Sequence, residues 1–206
     1  MTTIKNIESF VYRYPLSKPV ITSFGVMDNR PMLILKITDN NGMYGWGEVW
    51  CNFPLTGAEH RAKLIDNVFK PLLANFSIIT PEKTYEYLVS KTKILSIQSG
   101  EPGPIAQCIA GIDIAINDLI GKIENISLWK KFGGNKNIIP CYASGINPTK
   151  PEVTVKDAIK KGYSSFKLKI GFGLKKDLGN IKEIKNILPE NSFLMVDANQ
   201  AWNLYE

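Results

Sequence analysis

Histidine occurs once in these 206 residues and cysteine three times, and the two scarcities remove whole classes of chemistry. His60 stands between Glu59 and Arg61 in a charged helix start and reads as a solvated surface residue, which leaves no histidine for a catalytic triad or a zinc cage. Cys51, Cys108 and Cys141 are odd in number, far apart and without C-x-x-C spacing. They suggest neither a disulfide framework nor a metal site, and they fit a reducing, cytoplasmic location. No apolar signal region opens the chain, no apolar run reads as long enough to cross a bilayer, and no repeat or low-complexity segment occurs. Dense Lys/Arg clusters interleaved with aromatics are missing too. The net charge of +6 therefore reads as a lysine-rich surface, not a nucleic-acid or membrane face, with attraction of a small anionic substrate as a lesser effect.

What is present is a chain 44% hydrophobic, enough for one large domain or two modest ones. Residues 4–11 alternate apolar and polar, as do 32–38 and 43–49, the last two joined by Asp39-Asn40-Asn41-Gly42. That pattern predicts three antiparallel strands with a tight Asn-Gly turn. Residues 15–31, rich in Pro, Ser and Gly, read as a loop, and 50–54 as another, each a plain connection or a recognition loop. Helical spacing covers 56–73. Thr80 as N-cap and Pro81 at the first turn open a second helix through about residue 91, and 98–103 reads as a polar loop. A long helix from Pro104, apolar over more than one stripe, predicts burial on several sides, with Asp113 and Asp118 as structural carboxylates. After a short turn at 128–132 the rhythm changes. Strands at 138–143, 165–170 and 193–197 alternate with helices at 151–161 and 174–188, which implies parallel β/α units.

Two of those strands carry charge where burial is expected. Side chains alternate with period two, so Phe166, Leu168 and Ile170 share one face while Lys167 and Lys169 share the other. By the same rule Met195, Asp197 and Asn199 fall on one face of the next strand. Such charges are costly in a core unless they meet a counter-charge, a metal or a substrate. Gly171-Phe172-Gly173 hints at a dinucleotide loop, but the third glycine position holds Lys176. A lone Lys-x-Lys reads as an edge strand with one solvated face; Asp197 on the next strand argues against that.

Four segments, in order, resemble the enolase superfamily in its mandelate racemase and muconate lactonizing enzyme branch. They are Gly-Met-Tyr-Gly-Trp-Gly-Glu at 42–48, Gly-Ile-Asp-Ile-Ala-Ile-Asn-Asp-Leu-Ile-Gly-Lys at 111–122, Lys-Leu-Lys-Ile-Gly at 167–171 and Val-Asp-Ala-Asn-Gln-Ala-Trp at 196–202. The resemblance implies an N-terminal α+β capping domain over residues 1–130, followed by an incomplete modified TIM (β/α) barrel over 131–206. It implies a magnesium-dependent enzyme, with manganese as a substitute, that removes the α-proton of a small carboxylate such as a sugar acid. In that pattern Lys169 is the base, Lys167 its neighbour on the substrate carboxylate, Asp197 a metal ligand and Asn199 a contact to base or substrate. A lysine base must be neutral, and the second ammonium beside it acts in that direction. Ser23, Phe24, Trp50 and Asn52 fall in the capping loops that choose the substrate. The full-length form is expected to be a homo-oligomer, with neither nucleic acid nor membrane as partner. A whole barrel takes roughly 250 residues, against 131–206 here, so the chain is expected to be the front part of a longer enzyme. Racemase, dehydratase and cycloisomerase readings stay open, as do a muconate-lactonizing or dipeptide-epimerase activity, a non-catalytic capping module and a Schiff-base lysine.

Overall fold

The computed structural model describes residues 2–22 and 25–205. The chain folds as two compact units, Met1–Pro15 with Asn29–Asn135, and Leu16–Asp28 with Lys136–Glu206.

A four-stranded sheet of order β3-β2-β1-β4 is built from β1 (Thr2–Thr22), β2 (Gly25–Asp39), β3 (Tyr44–Val49) and β4 (Ser77–Ile78). β2 and β3 pair antiparallel from Leu33 opposite Val49 to Thr38 opposite Tyr44. The alternation works as expected: Leu33, Leu35 and Ile37 are wholly buried, and Ile34, Lys36 and Thr38 take the other face. Asp39 is buried at the turn because its Oδ1 accepts from the N–H groups of Asn41 and Met43, at 2.9 and 2.8 Å. The expected loop at 15–31 is a correction. β1 continues to Thr22 and β2 is already extended from Gly25, and their prolines are tolerated because, among the described residues, β4 reaches only Thr2 and Thr3 of β1, while β3 reaches only Leu33 and beyond on β2. A proline without an N–H is harmless where one side of the strand has no partner.

α1 (Gly57–Leu64) continues through a π-helical turn (Ile65–Phe69) into α2 (Lys70–Leu72), and buries Ile65 and Phe69 completely. α3 (Pro81–Ser99) starts where expected, with the Thr80 hydroxyl accepting from Lys83 N–H at 3.2 Å. It runs two turns further than expected and stops at Gly100, in the left-handed region at φ 67°. α4 (Pro102–Ile123) begins inside the predicted loop. By length and composition it is apolar enough to cross a membrane, which corrects the expectation that no such run exists. Half of it is buried, and it packs on β3, α3, α1 and α5 (Leu128–Lys131) as the core helix of its unit.

The approach of α4 to β3 is written in the glycines. A Cβ on Gly45 would lie 2.0 Å from the Ala115 carbonyl oxygen, and one on Gly47 would lie 2.1 Å from that of Gly111. Asp118 takes the outward N–H of Trp46 at 2.7 Å and pairs with Lys122, so it is structural, as expected.

In the second unit β5 (Ala143–Ile146), β6 (Ser165–Lys169) and β7 (Phe193–Asp197) form a parallel sheet in that order, connected by α6 (Pro151–Lys160) and α7 (Leu174–Lys185). The strand expected at 138–143 begins only at Ala143. Ile138 and Ile139 are 80% and 82% exposed, and Pro140 beside them has no N–H to pair. Ile146, Phe166, Leu168, Ile170, Val155, Ala158 and Ile184 make a separate core between sheet and helices.

Candidate active site

The register of the parallel sheet assembles the charged residues. β6 and β7 pair with Lys167 beside Met195 and Lys169 beside Asp197. Since Phe166 and Leu168 are committed to the core, the two lysines share the opposite face, each about a fifth exposed. Lys169 Nζ donates to Asp197 Oδ2 at 2.7 Å and to Asn199 Oδ1 at 3.2 Å. Lys167 Nζ stands 3.4 Å from the same Oδ2, so one carboxylate oxygen faces two ammonium groups. Asp197 Oδ1 accepts the Asn199 N–H at 3.0 Å, and the Asp197 carbonyl accepts from Ile170 N–H, also at 3.0 Å.

The electrostatics follow from that crowding. The Lys169 hydrogen bond first, and the Asn199 N–H second, lower the Asp197 carboxyl to about 2. A hydrogen bond with Tyr142, whose ring centroid is 5.1 Å from Lys167 Nζ, is the main influence raising the Lys167 ammonium above the ordinary lysine range, and Asp197 adds to it.

Of the residues singled out in the sequence, the structure brings together Lys167, Lys169, Asp197 and Asn199. Trp50 and Asn52 lie in the first unit, in the loop after β3, with Trp50 about half exposed. Ser23 and Phe24 lie outside the described residues. Two further residues carried no site role in the sequence reading, which took the segments around them, Tyr-Ala-Ser-Gly at 142–145 and Asp-Leu at 177–178, only as family-like. Tyr142 immediately precedes β5. Asp177 in the first turn of α7 is buried, and its carboxylate accepts from the N–H groups of Gly171 and Phe172, at 2.9 and 3.2 Å. It fixes the loop that follows Lys169 and occupies the amides a phosphate would need, which disposes of the dinucleotide reading. An aspartate six residues after a strand-end glycine was the available clue.

Among the described residues no group of three or more His, Cys, Asp and Glu side chains is placed to hold a metal. The site offers one carboxylate, Asp197, with the amide oxygen of Asn199 near it. Hard oxygen donors of this kind suit magnesium, which binds through one or two carboxylates and fills its remaining positions with water and substrate oxygens.

Comparison with known proteins identifies relatives of the chain. The mandelate racemase / muconate lactonizing enzyme N-terminal domain matches residues 6–133. An N-succinyl-L-Arg/Lys racemase of Bacillus cereus is 26% identical over 97% of this chain and 53% of its own length. A crystal structure described as a mandelate racemase/muconate lactonizing enzyme from Bordetella bronchiseptica is 42% identical, with a TM-score of 0.88 over 99% of this chain and 53% of that one. A racemase from Streptomyces coelicolor, crystallised with bound magnesium, is 27% identical, with a TM-score of 0.84 over 97% of this chain and 56% of its own. The named relatives include racemases, epimerases, a cycloisomerase, a dehydratase and an o-succinylbenzoate synthase, and the chain spans about half their length. With that match and the β/α units behind it, the chain belongs to the mandelate racemase / muconate lactonizing enzyme family of the enolase superfamily, as its α+β capping domain and the first part of its barrel.

Proposed function

We propose that this chain supplies the base-bearing part of a magnesium-dependent enzyme that abstracts the α-proton of a carboxylate substrate. The observation that carries the reading is the single carboxylate Asp197 set between Lys167 and Lys169 on adjacent parallel strands. Lys167, held charged by Tyr142 and Asp197, binds and orients the substrate carboxylate. Lys169 takes the α-proton on Nζ, and the electron pair left on the α-carbon moves into the carboxylate to give an enediolate. For that, Lys169 must first give up its hydrogen bond to Asp197 Oδ2 and its own proton. A magnesium ion, for which Asp197 is the ligand this chain would provide, supplies positive charge that lowers the cost of the enediolate oxygens. Asn199 holds the base or the substrate, and Ser23, Phe24, Trp50 and Asn52 are the residues we assign to substrate choice.

Racemase, sugar-acid dehydratase and cycloisomerase chemistry all begin with this proton transfer. The names of the relatives favour a second, narrower form, epimerisation of an acylated amino acid or dipeptide, since an N-succinyl-L-Arg/Lys racemase and L-Ala-D/L-Glu epimerases are among them. The unpaired state of Cys51, Cys108 and Cys141 supports a reducing compartment, the cytoplasm.

The test joins this chain to the complementary half of the Bordetella bronchiseptica protein. Exchange of the substrate α-proton in deuterated water is then followed with magnesium across sugar acids, N-succinyl amino acids and dipeptides. Exchange abolished by Lys169→Ala supports the assignment, and exchange unchanged by it removes Lys169 as the base. A chain that gives no exchange with any substrate, yet co-purifies with an intact homologue, would instead be a capping module.

A further inference from the structure

Immediately after Asp197 the backbone reverses in two residues. Asn199 and Gln200 both stand at positive φ, 46° and 59°, and the Ala201 N–H closes the turn on the Ala198 carbonyl at 2.9 Å. Two successive central residues at positive φ are the mark of a type I′ turn, whose preferred sequence is Asn-Gly because a side chain at the second position crowds its own backbone. Here that second position holds Gln200, which is exposed. A residue held in this conformation against its own preference persists where surrounding contacts over-determine it, and such positions gather at functional sites.

Two contacts of Asn199 in this turn run to the charged cluster. The Asn199 N–H holds Asp197 Oδ1 at 3.0 Å, and the Asn199 side-chain oxygen accepts from Lys169 Nζ at 3.2 Å. A strand that simply continued would carry Asn199 about 3.3 Å further along for each residue, away from Lys169 on the neighbouring strand. The reversal instead brings it back.

We propose that the Asn199-Gln200 turn is the device that positions Lys169 and Asp197, and that Gln200 is its positioning residue. The left-handed backbone at Gln200 returns the Asn199 amide oxygen to the Lys169 ammonium, and the same turn pins Asp197 Oδ1. Oδ2 is thereby the oxygen presented to both lysines. This divides the Asp197 carboxylate between a structural half and a working half. The inference rests on the proposed roles of Lys169 as base and Asp197 as ligand, but the geometry it describes exists without substrate or metal.

The experiment uses the 206-residue chain labelled with ¹⁵N-lysine. Ammonium protons of hydrogen-bonded lysines exchange slowly enough to give resolved correlation signals, and the signal lost in Lys169→Arg identifies Lys169. Gln200→Gly, which suits the turn better than glutamine, is expected to keep that signal. Gln200→Pro, with φ fixed near −65°, makes the turn impossible and is expected to abolish it, while the backbone signals of β6, α6 and α7 stay in place. A Lys169 signal absent from the unmodified chain, lost in Gln200→Gly or retained in Gln200→Pro overturns the proposal. Because the readout needs no turnover, a responsive signal in a chain whose completed form shows no exchange rejects the proposed function and leaves the positioning role standing.

Discussion

Lys169 and Asp197 are register partners on adjacent parallel strands, and their side chains meet at 2.7 Å on the face opposite the core. Lys167 shares the same carboxylate oxygen at 3.4 Å. Asp197→Asn leaves two ammonium groups a fifth exposed and facing each other without a counter-charge. Loss of about 1–2 kcal/mol of stability is expected, below the value for a fully buried pair because water still reaches the site. Urea denaturation checks it, and the loss should shrink when Lys169→Met is combined with Asp197→Asn, since the charge left unpaired is then smaller.

Tyr142 acts on Lys167 through both contact and charge. Tyr142→Ala should lower the Lys167 pKa toward the ordinary lysine value, read from its side-chain carbon shifts in an NMR titration. A titration identical to that of the unmodified chain would show that Asp197 alone raises it.

The glycines of β3 make a steric prediction. Gly45→Ala and Gly47→Ala each force a methyl group onto the backbone of α4, where the gap is 2.0–2.1 Å, well inside contact distance. Each should destabilise the chain by roughly 2–3 kcal/mol or more, as overpacking of a rigid contact does. Gly25→Ala, with no atom within 4 Å of the added carbon, should leave thermal unfolding close to unchanged.

Cysteine reactivity should follow burial. Desolvation drives the Cys108 thiol up to about 12 and raises that of Cys51, whereas Cys141 is exposed. A disulfide reagent at pH 8 is expected to modify one thiol in the native chain and three in denaturant. Rapid modification of more than one native thiol would mean that the core around α4 opens readily.

Glu59 is lowered below the usual carboxylate range, chiefly by its hydrogen bond from Arg13. A group whose folded-state value lies below its unfolded one contributes stability above the unfolded value of about 4, and that contribution is lost as pH falls through the folded one. Arg13→Leu should therefore cost more stability at pH 7 than at pH 3. An equal cost at both would assign the effect to packing of the Arg13 stem.

Much of the fold is legible because its causes are local. Thr80 and Pro81 announce α3, Asn41-Gly42 the turn between β2 and β3, and the spacing of Ile105, Ile109, Ile112 and Ile116 announces α4. The failures are places where a long-range partner decides. Residues 15–22 and 25–31 carry loop composition yet are extended, because prolines are harmless on a strand side that no other described strand pairs. Residues 138–143 carry strand composition yet pair only from Ala143, because Pro140 breaks the ladder. Gly100, not the polar composition of 98–103, ends α3, since a left-handed stop needs one residue and no polar stretch.

The candidate site divides along the same line. Period-two alternation is a property of any extended chain, so the sequence by itself places Lys167 and Lys169 on the face opposite Phe166 and Leu168. It also puts Asp197 on a comparable face of the next strand. Register is not local: a slip of one residue between β6 and β7 would set Asp197 across from a core leucine. Only the tertiary structure decides that Lys169, not Lys167, takes the short bond to Asp197, that Tyr142 lies against Lys167, and that a left-handed Gln200 returns Asn199 to Lys169. Each of these depends on backbone positions fixed by packing between strands, and no sequence spacing encodes them.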